Sequence, residues 1–447
     1  MTKGGENMEL LDKFFKIRER NSSVGREALA GLVTFFAMSY ILAVNPAILA
    51  QAGMDKAELV TVTAVAAAIG CALMAFMANL PVALAPTMGT NTYFAIIVCV
   101  GMGLDWREAL ALTFYNGIFF FIISVTGIRE KLIAGVPRPM QAALQCGIGM
   151  FIAFFGLQSA KLVVSNPATL VTGGRLGSPE CLFALAGVAL IAVLVARKVR
   201  SAIIISIAAM TAAAFFIDDS SGARMAKIPN AVFSIPHGIS ETFMQLDFAY
   251  PFRDFHKAAR VIFVLLMLDL LDTIATVVAM ASRCGIMRPD GTFPKMGRAL
   301  TADASATIIG ALLGTSTTGA FVESSAGIES GGRTGLTPLF TGAFFIAALF
   351  LSPLINAVPA AATAPALIVI GILMFGSISQ IKFSDPAELI PVFFCIMMVA
   401  LCFKISEGFA FGMVAYVLLM CATGRAREIL PATWLLFSIM CVFLCAA

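Results

Sequence analysis

The chain has 447 residues, of which 60% are hydrophobic and 13% are Asp, Glu, Lys or Arg, and its formal net charge is +4. A soluble protein averages about 25% charged residues, and no globular domain can hide this much apolar surface from water. The composition excludes a cytosolic enzyme, a nucleic-acid-binding protein, a disordered chain and a disulfide-stapled secreted domain. It predicts an all-α polytopic membrane protein.

The N-terminal residues 1–26 carry several Lys and Arg residues with apolar side chains at helical spacing among them. This pattern predicts a cytoplasmic amphipathic N-terminus that lies on the membrane surface, with no cleavable signal peptide. Farther along, the ten Cys are scattered without a CxxC pair, and both His fall in one polar connection. We therefore expect no metal site and no cofactor.

Fourteen apolar segments follow in chain order. They are residues 27–51, 58–78, 80–101, 108–126, 138–158, 180–196, 201–217, 259–281, 299–313, 317–328, 335–356, 361–379, 386–404 and 406–423. The connections that follow even-numbered segments are richer in Lys and Arg, so the positive-inside rule places them and the N-terminus in the cytoplasm. A last apolar stretch, 431–447, is short for a span, and an interfacial, a re-entrant and a spanning arrangement all stay open.

Segments three and ten differ from the others. They begin with stretches rich in Gly, Thr, Ser and Pro, at 81–94 and 314–325. Irregular backbone at membrane depth is tolerated only where protein buries it or where it lines a cavity. Because the two segments are seven apart, they predict two inverted seven-segment repeats with short extended stretches and a site near the membrane midplane.

Three acidic residues lie inside apolar segments: Asp269 and Asp272 in segment eight, and Glu323 in segment ten. A charge at mid-bilayer costs roughly 2.5–3.5 kcal/mol, and no Lys or Arg lies within a helical turn of the three. They should therefore face a polar cavity, a ligand or a partner from another segment. Hydrogen bonds that merely brace helices together are the alternative interpretation.

The residues around these acids suit a small, planar, uncharged ligand with N–H and C=O edges. Asp269, Asp272 and Thr276 share one helical face, and Asn91, in the corresponding place of the other half, can both donate and accept. Phe94 and Phe321 are candidates to lie against a flat ring, with ordinary packing as the alternative. The predicted substrate site comprises Asp272, Glu323, Asn91, Thr318, Gly319, Phe321, Phe94 and Thr276, and the predicted proton-coupling residues are Asp269 and Asp272.

Three stretches of sequence look like those of a known family. They are Gly25–Pro46, Leu268–Thr276 and Gly314–Leu336, the last being the most specific. From about residue 25 to 423 the chain resembles the nucleobase:cation symporter-2 family, in its purine-permease (AzgA-like) branch that transports adenine, guanine and hypoxanthine. The resemblance implies fourteen spans in two inverted repeats, with the substrate acids at Asp272 and Glu323 and the polar residue of segment three at Asn91.

The same resemblance implies a core domain that carries the substrate and a gate domain. The expected division is an N-terminus (1–26), core parts (27–126 and 259–356), gate parts (127–217 and 357–423), an extracytoplasmic connection (218–258) and a C-terminal apolar segment (424–447).

The expected function is that of a proton-coupled secondary active transporter, not an enzyme, in the plasma (inner) membrane. It would import a purine nucleobase by elevator-like alternating access. A uracil or xanthine carrier of the same family and an anion transporter of the same architecture are the alternatives. Sodium as the coupling ion and a homodimer as the assembly also stay open, and no nucleic acid is expected as a partner.

Overall fold

A computed structural model describes residues 12–126, 136–167, 169–199, 201–220, 222–229, 231–286, 293–402 and 405–446. Residues 1–11 of the predicted amphipathic N-terminus lie outside this range, and residues 12–15 form a helical turn. The protein is mostly helical.

In the first half of the chain the described helices are α1 (Val24–Met38), α2 (Ile41–Leu49), α3 (Lys56–Leu73), α4 (Met88–Thr92), α5 (Trp106–Thr126), α6 (Arg138–Ser159), α7 (Pro179–Ala196) and α8 (Ala202–Ala214). In the second half they are α9 (Tyr250–Arg253), α10 (Phe255–Arg283), α11 (Met296–Leu313), α12 (Ser324–Glu329), α13 (Leu336–Ala348), α14 (Ser352–Asn356), α15 (Ala360–Phe375), α16 (Pro386–Cys402), α17 (Ile405–Ala422) and α18 (Pro431–Ala446). The strands are β1 (Leu84–Pro86), β2 (Val163–Asn166), β3 (Leu170–Gly173) and β4 (Thr318–Ala320).

Several helices have the length and composition of membrane spans. Within the described residues, seven qualify: Val24–Ala52, Lys56–Ala78, Trp106–Thr126, Arg138–Ser159, Pro179–Ala196, Leu336–Asn356 and Ala360–Gln380. Shorter apolar helices accompany them at Met88–Gly101, Ala202–Ala214, Pro386–Leu401, Glu407–Ala422 and Pro431–Cys441. The prediction of an all-α polytopic membrane protein is confirmed, and some segments are short because extended backbone replaces part of the helix.

The chain divides into two compact units. The first comprises Met1–Val125, Leu194–Phe215 and Ala226–Pro359, and the second comprises Thr126–Val193, Phe216–Met225 and Ala360–Ala447. Helix α8 belongs to the first unit. In the second unit α6 and α15 pack closely, because a Cβ added at Gly156 would lie 2.8 Å from Ile368 Cγ1.

In the first unit the connections between segments meet at two opposite ends. At one end Arg20 Nη1 donates to Asn79 O and to Arg333 O, both at 2.8 Å, which joins the N-terminal segment to the connections after segments two and ten. At the other end Lys56 Nζ donates to Val358 O at 3.0 Å, and Met244 N donates to Leu312 O at 2.8 Å. Helix α3 runs from one end to the other, so the connections alternate as the segment count requires.

The extended stretches predicted in segments three and ten are present, and they pair with each other. Strands β1 and β4 are antiparallel, with Ala85 opposite Gly319. The ladder is extended by Thr87 N donating to Thr317 O and by Phe321 N donating to Ala83 O, both at 3.0 Å. This β1–β4 ribbon therefore satisfies backbone groups that would otherwise be unpaired at membrane depth.

Candidate functional site

The β1–β4 ribbon places two helix starts inside the first unit. Strand β1 leads into α4, which continues as a π-helix over Tyr93–Gly101. Strand β4 leads into the short helix α12, whose N-cap residue is Glu323. Each of the two irregular segments thus consists of a strand followed by a helix, and Glu323 lies at the junction in segment ten.

Two of the three predicted acids lie close together. Asp272 on α10 and Glu323 are half-buried and within electrostatic range of each other. Among the described residues no cation forms an ion pair with either carboxylate, and Asp272 has no hydrogen-bond partner there. Two neighbouring carboxylates without a cation repel each other, so the pair favours a ligand that brings N–H donors or a proton.

Tyr40 completes this pair, and the sequence analysis did not identify it. Its hydroxyl donates to Glu323 Oε1 at 2.7 Å. Tyr40 lies in the break between α1 and α2 and is only 2% exposed. The available signal was a tyrosine in an otherwise apolar first span, since a buried phenol hydroxyl usually finds a partner.

The third predicted acid, Asp269, has a different environment. It is buried, and its Oδ2 accepts from Asn116 Nδ2 at 2.7 Å while the hydroxyl of Thr317 also bonds to the carboxylate. Asp269 thus connects segments eight, four and ten. These contacts are hydrogen bonds between segments, which the sequence left open as the alternative to ligand binding.

A fourth buried acid, Asp303 on α11, was missed because it lies near the start of segment nine. Its Oδ2 accepts from Thr273 Oγ1 at 2.8 Å, and it is within electrostatic range of Asp269. The signal in the sequence was an acid within the first turns of an apolar segment. The buried acids therefore extend across segments eight and nine.

Asn91 is completely buried and already has partners on both ends of its amide. Its Nδ2 donates to Asn45 Oδ1, and its Oδ1 accepts from the Ser316 hydroxyl. Asn45 Nδ2 in turn donates to Thr63 Oγ1 at 2.7 Å. This polar network ties segments one, two, three and ten together, and Asn91 does not contact the Asp272–Glu323 pair through these bonds.

The other predicted site residues are buried around the ribbon. Thr318 and Gly319 lie in β4, and Thr318 O accepts from Thr307 Oγ1 at 3.0 Å. A Cβ added at Gly319 would lie 2.8 Å from Thr87 Cγ2, so a glycine is needed for the close approach of the two strands. The rings of Phe94 and Phe321 and the side chain of Thr276 are also buried.

Comparison with known proteins identifies the family. The family model described as "Permease family" (Xan_ur_permease) matches residues 25–424. The chain belongs to this permease family. It is 36% identical over 438 residues to the adenine permease AdeP of Escherichia coli (strain K12), with 97% of this chain and 96% of that protein covered. It is 38% identical over 426 residues to the guanine/hypoxanthine permease PbuO of Bacillus subtilis (strain 168), with 93% and 96% covered.

A solved structure shares the fold. The transmembrane domain of the cyanobacterium bicarbonate transporter BicA aligns with a TM-score of 0.64 at 16% identity, covering 87% of this chain and 97% of that chain. The fold is that of two inverted seven-segment repeats. The resemblance to the purine-permease branch and the fold class predicted from the sequence are thus both confirmed.

Proposed function

We propose that this permease is a proton-coupled secondary active transporter that imports a purine nucleobase. The observation that carries the proposal is the pairing of Asp272 with Glu323 beside the β1–β4 ribbon, together with relatives named as adenine and guanine/hypoxanthine permeases. A purine presents N–H groups that a carboxylate accepts. A base donating to both acids would relieve the repulsion between them.

Tyr40 orients the Glu323 carboxylate in the proposed site. Because its hydroxyl donates to Glu323 Oε1, we propose that the second oxygen of that carboxylate accepts a ligand N–H. Asp272 offers both of its oxygens. We propose that Thr318 and Gly319 of β4 border the base, that Phe94 and Phe321 flank its ring, and that Asn91 and Thr276 complete the polar wall.

We propose that a proton accompanies the base, carried by Asp272 or Asp269. A proton on Asp272 would remove the repulsion from Glu323 and give Asp272 an O–H that can donate to a ring nitrogen or carbonyl of the base, so proton uptake and base binding would support each other. Sodium as the coupling ion is the alternative. Replacing the proton gradient by a sodium gradient during uptake separates the two.

We propose elevator-like alternating access for the transport cycle. Residues 27–126 and 259–356 would form the moving core that carries the base, and residues 127–217 and 357–423 the gate. The first compact unit contains both strands of the ribbon, Tyr40 and both acids of the pair, so a single body holds the whole proposed site. The proposed location is the plasma (inner) membrane with a cytoplasmic N-terminus.

Uptake of radiolabelled adenine and hypoxanthine tests the proposal. Asp272→Asn and Glu323→Gln keep the side-chain volume but weaken the acceptors, so each should abolish saturable uptake at unchanged abundance in the membrane. Glu329→Gln, at the far end of α12, is the matched control and should retain uptake, since Glu329 pairs with Arg283 at 2.7 Å. Undiminished uptake in both site variants would overturn the assignment.

Competition with unlabelled compounds separates the alternatives. Adenine, guanine or hypoxanthine should suppress the labelled uptake, whereas uracil, xanthine and bicarbonate should not. Suppression by uracil or xanthine would instead indicate another carrier of the same family. An anion substrate is disfavoured because two acids and no cation form the pair.

A further inference from the structure

A cluster of basic side chains lies at one end of the first unit, outside the proposed substrate site. The N-terminal segment 12–20 contains four cations and two acids, an excess of two positive charges. Lys295 and Arg298 at the start of α11 add two more. Lys16, Lys295 and Arg298 are exposed, and we call these three residues with Arg20 the basic cluster.

Packing against the end of α3 brings the two parts of the basic cluster together. Phe15 and Ile17 of the N-terminal segment pack on Ala75. Phe293 and Met296, on either side of Lys295, pack in one apolar core with Ala78. The turn after α3 therefore lies between the N-terminal segment and the start of α11, so the cations on both belong to one surface.

The cations are close enough to influence one another. Partial burial, followed by the positive charges of Arg298, Arg20 and Lys16, lowers the pKa of Lys295. The nearby acids neutralise only part of this positive charge. Glu19 pairs with Lys16 at 2.8 Å, and Asp12 lies 3.6 Å from Arg18. A surface that carries several negative charges would relieve this mutual repulsion.

Exposed aromatic rings adjoin the basic cluster. Phe14 is 51% exposed and Phe76 is 54% exposed, and their ring centroids are 5.8 Å apart in an edge-on arrangement. Phe14 is a neighbour of the buried Phe15, so the short helical turn at 12–15 turns one ring inward and the other outward. Apolar rings beside cations are the pattern of a segment that lies at the boundary between acyl chains and headgroups.

The basic cluster also lies where the fold would meet the surface of the membrane. The N-terminal segment, the turn after segment two and the connection before segment nine all lie at the ends of apolar segments. Arg20 further joins this surface to the connection after segment ten. These are the ends that the positive-inside rule assigns to the leaflet carrying anionic lipid.

We propose that the basic cluster binds the headgroups of anionic phospholipids, with Phe14 and Phe76 inserted beside them in the acyl region. Each Lys or Arg near an anionic surface strengthens binding roughly fivefold. Occupied by lipid, the surface would hold the N-terminal segment, the turn after α3 and the start of α11 together. The inference is independent of which solute the protein carries.

Thermal unfolding of the purified full chain with added lipid tests the proposal. Phosphatidylglycerol added to the detergent-solubilised protein should raise the melting temperature, whereas phosphatidylcholine should not, and high salt should reduce the effect. The double variant Lys295→Gln with Arg298→Gln should need about 25-fold more phosphatidylglycerol for the same shift. A double variant that responds like the unmodified protein would overturn the proposal.

Two control variants show whether the response to phosphatidylglycerol depends on the basic cluster. Lys227→Gln with Lys257→Gln removes two exposed cations from the connection 218–258 and should leave the response unchanged. Lys295→Arg, which keeps the charge, should also respond normally. If the 227/257 variant loses the response equally, net charge rather than the basic cluster is responsible. A shift produced equally by inorganic phosphate would show a phosphate site and contradict lipid binding.

Discussion

At the scale of single residues, the proposed site depends on three side chains from three segments. Asp272 comes from α10, Glu323 from the start of α12, and Tyr40 from the break between α1 and α2. The Tyr40 hydroxyl is a side-chain donor to Glu323 Oε1. This hydroxyl holds one oxygen of Glu323, and in the proposed site the other oxygen would face the ligand.

Replacing Tyr40 by phenylalanine should raise the KM for the purine roughly tenfold. A hydrogen bond to a charged group contributes about 1.5–3 kcal/mol, and without it Glu323 would turn to other orientations. Initial rates of labelled hypoxanthine uptake over a range of concentrations measure the change. Tyr115→Phe is the control, since that hydroxyl donates to Phe248 O at 3.2 Å in the connection 218–258. An unchanged KM would mean that Tyr40 only supports the scaffold.

The sequence could identify acids but not their environments. Asp269, Asp272 and Glu323 stand out because a charge in an apolar run is costly. That cost does not show whether the partner is a ligand or another helix, and the structure gives Asp269 bracing contacts with Asn116 and leaves Asp272 without a hydrogen bond in the described part. Tyr40 escaped notice because its bond spans 283 positions of the sequence.

At the scale of elements, the β1–β4 ribbon holds the strands that border the proposed site. Gly and Thr in apolar segments predicted extended backbone in segments three and ten. They could not give the register, because strand pairing between distant segments depends on which side chains fit across the contact. Gly319 opposite Ala85 is such a fit.

Gly319→Ala should force the two strands apart. The added Cβ would lie 2.8 Å from Thr87 Cγ2, and overpacking of this kind costs typically 1–3 kcal/mol. We expect purine uptake to fall severalfold at normal membrane abundance. Gly297→Ala on α11 meets no atom within 4 Å and should behave like the unmodified protein. Equal uptake in the two variants would contradict the role given to the ribbon.

Glu27 ties α1 to the connection that precedes α13. Its carboxylate is fully buried and accepts from Arg333 N at 3.0 Å, from Thr334 N at 3.3 Å and from the Thr337 hydroxyl. Because Glu27→Ala would leave these donors without an acceptor, we expect a loss of about 2–4 kcal/mol in stability. Melting temperatures in detergent test this against Glu19→Ala, whose side chain is 66% exposed. Equal melting temperatures for the Glu27→Ala and Glu19→Ala variants would show that the Glu27 contacts do not stabilise the protein.

At the scale of the whole molecule, the first unit contains all the residues of the proposed site. Its connections alternate between two ends, and the ribbon and both acids of the pair lie within it. The sequence predicted the number of segments from the order of its apolar runs, and their repeat from the matching positions of segments three and ten. The division into core and gate parts, which the resemblance implies, stays a prediction, because hydropathy shows that a segment is apolar and not which neighbours it packs against.

Accumulation of the base should depend on the proton gradient. Addition of a protonophore to cells or proteoliposomes should abolish uphill accumulation of labelled adenine and leave equilibration intact. Replacing sodium by potassium should have no effect. Accumulation that survives the protonophore but requires sodium would show that sodium is the coupling ion.

The most direct measurement is an experimental structure of the purified protein with adenine or hypoxanthine bound. The base should lie beside β1 and β4, with N–H groups within hydrogen-bond distance of Asp272 and of the Glu323 oxygen that Tyr40 does not occupy. A base bound elsewhere, with both carboxylates engaged only by the protein, would contradict the central claim.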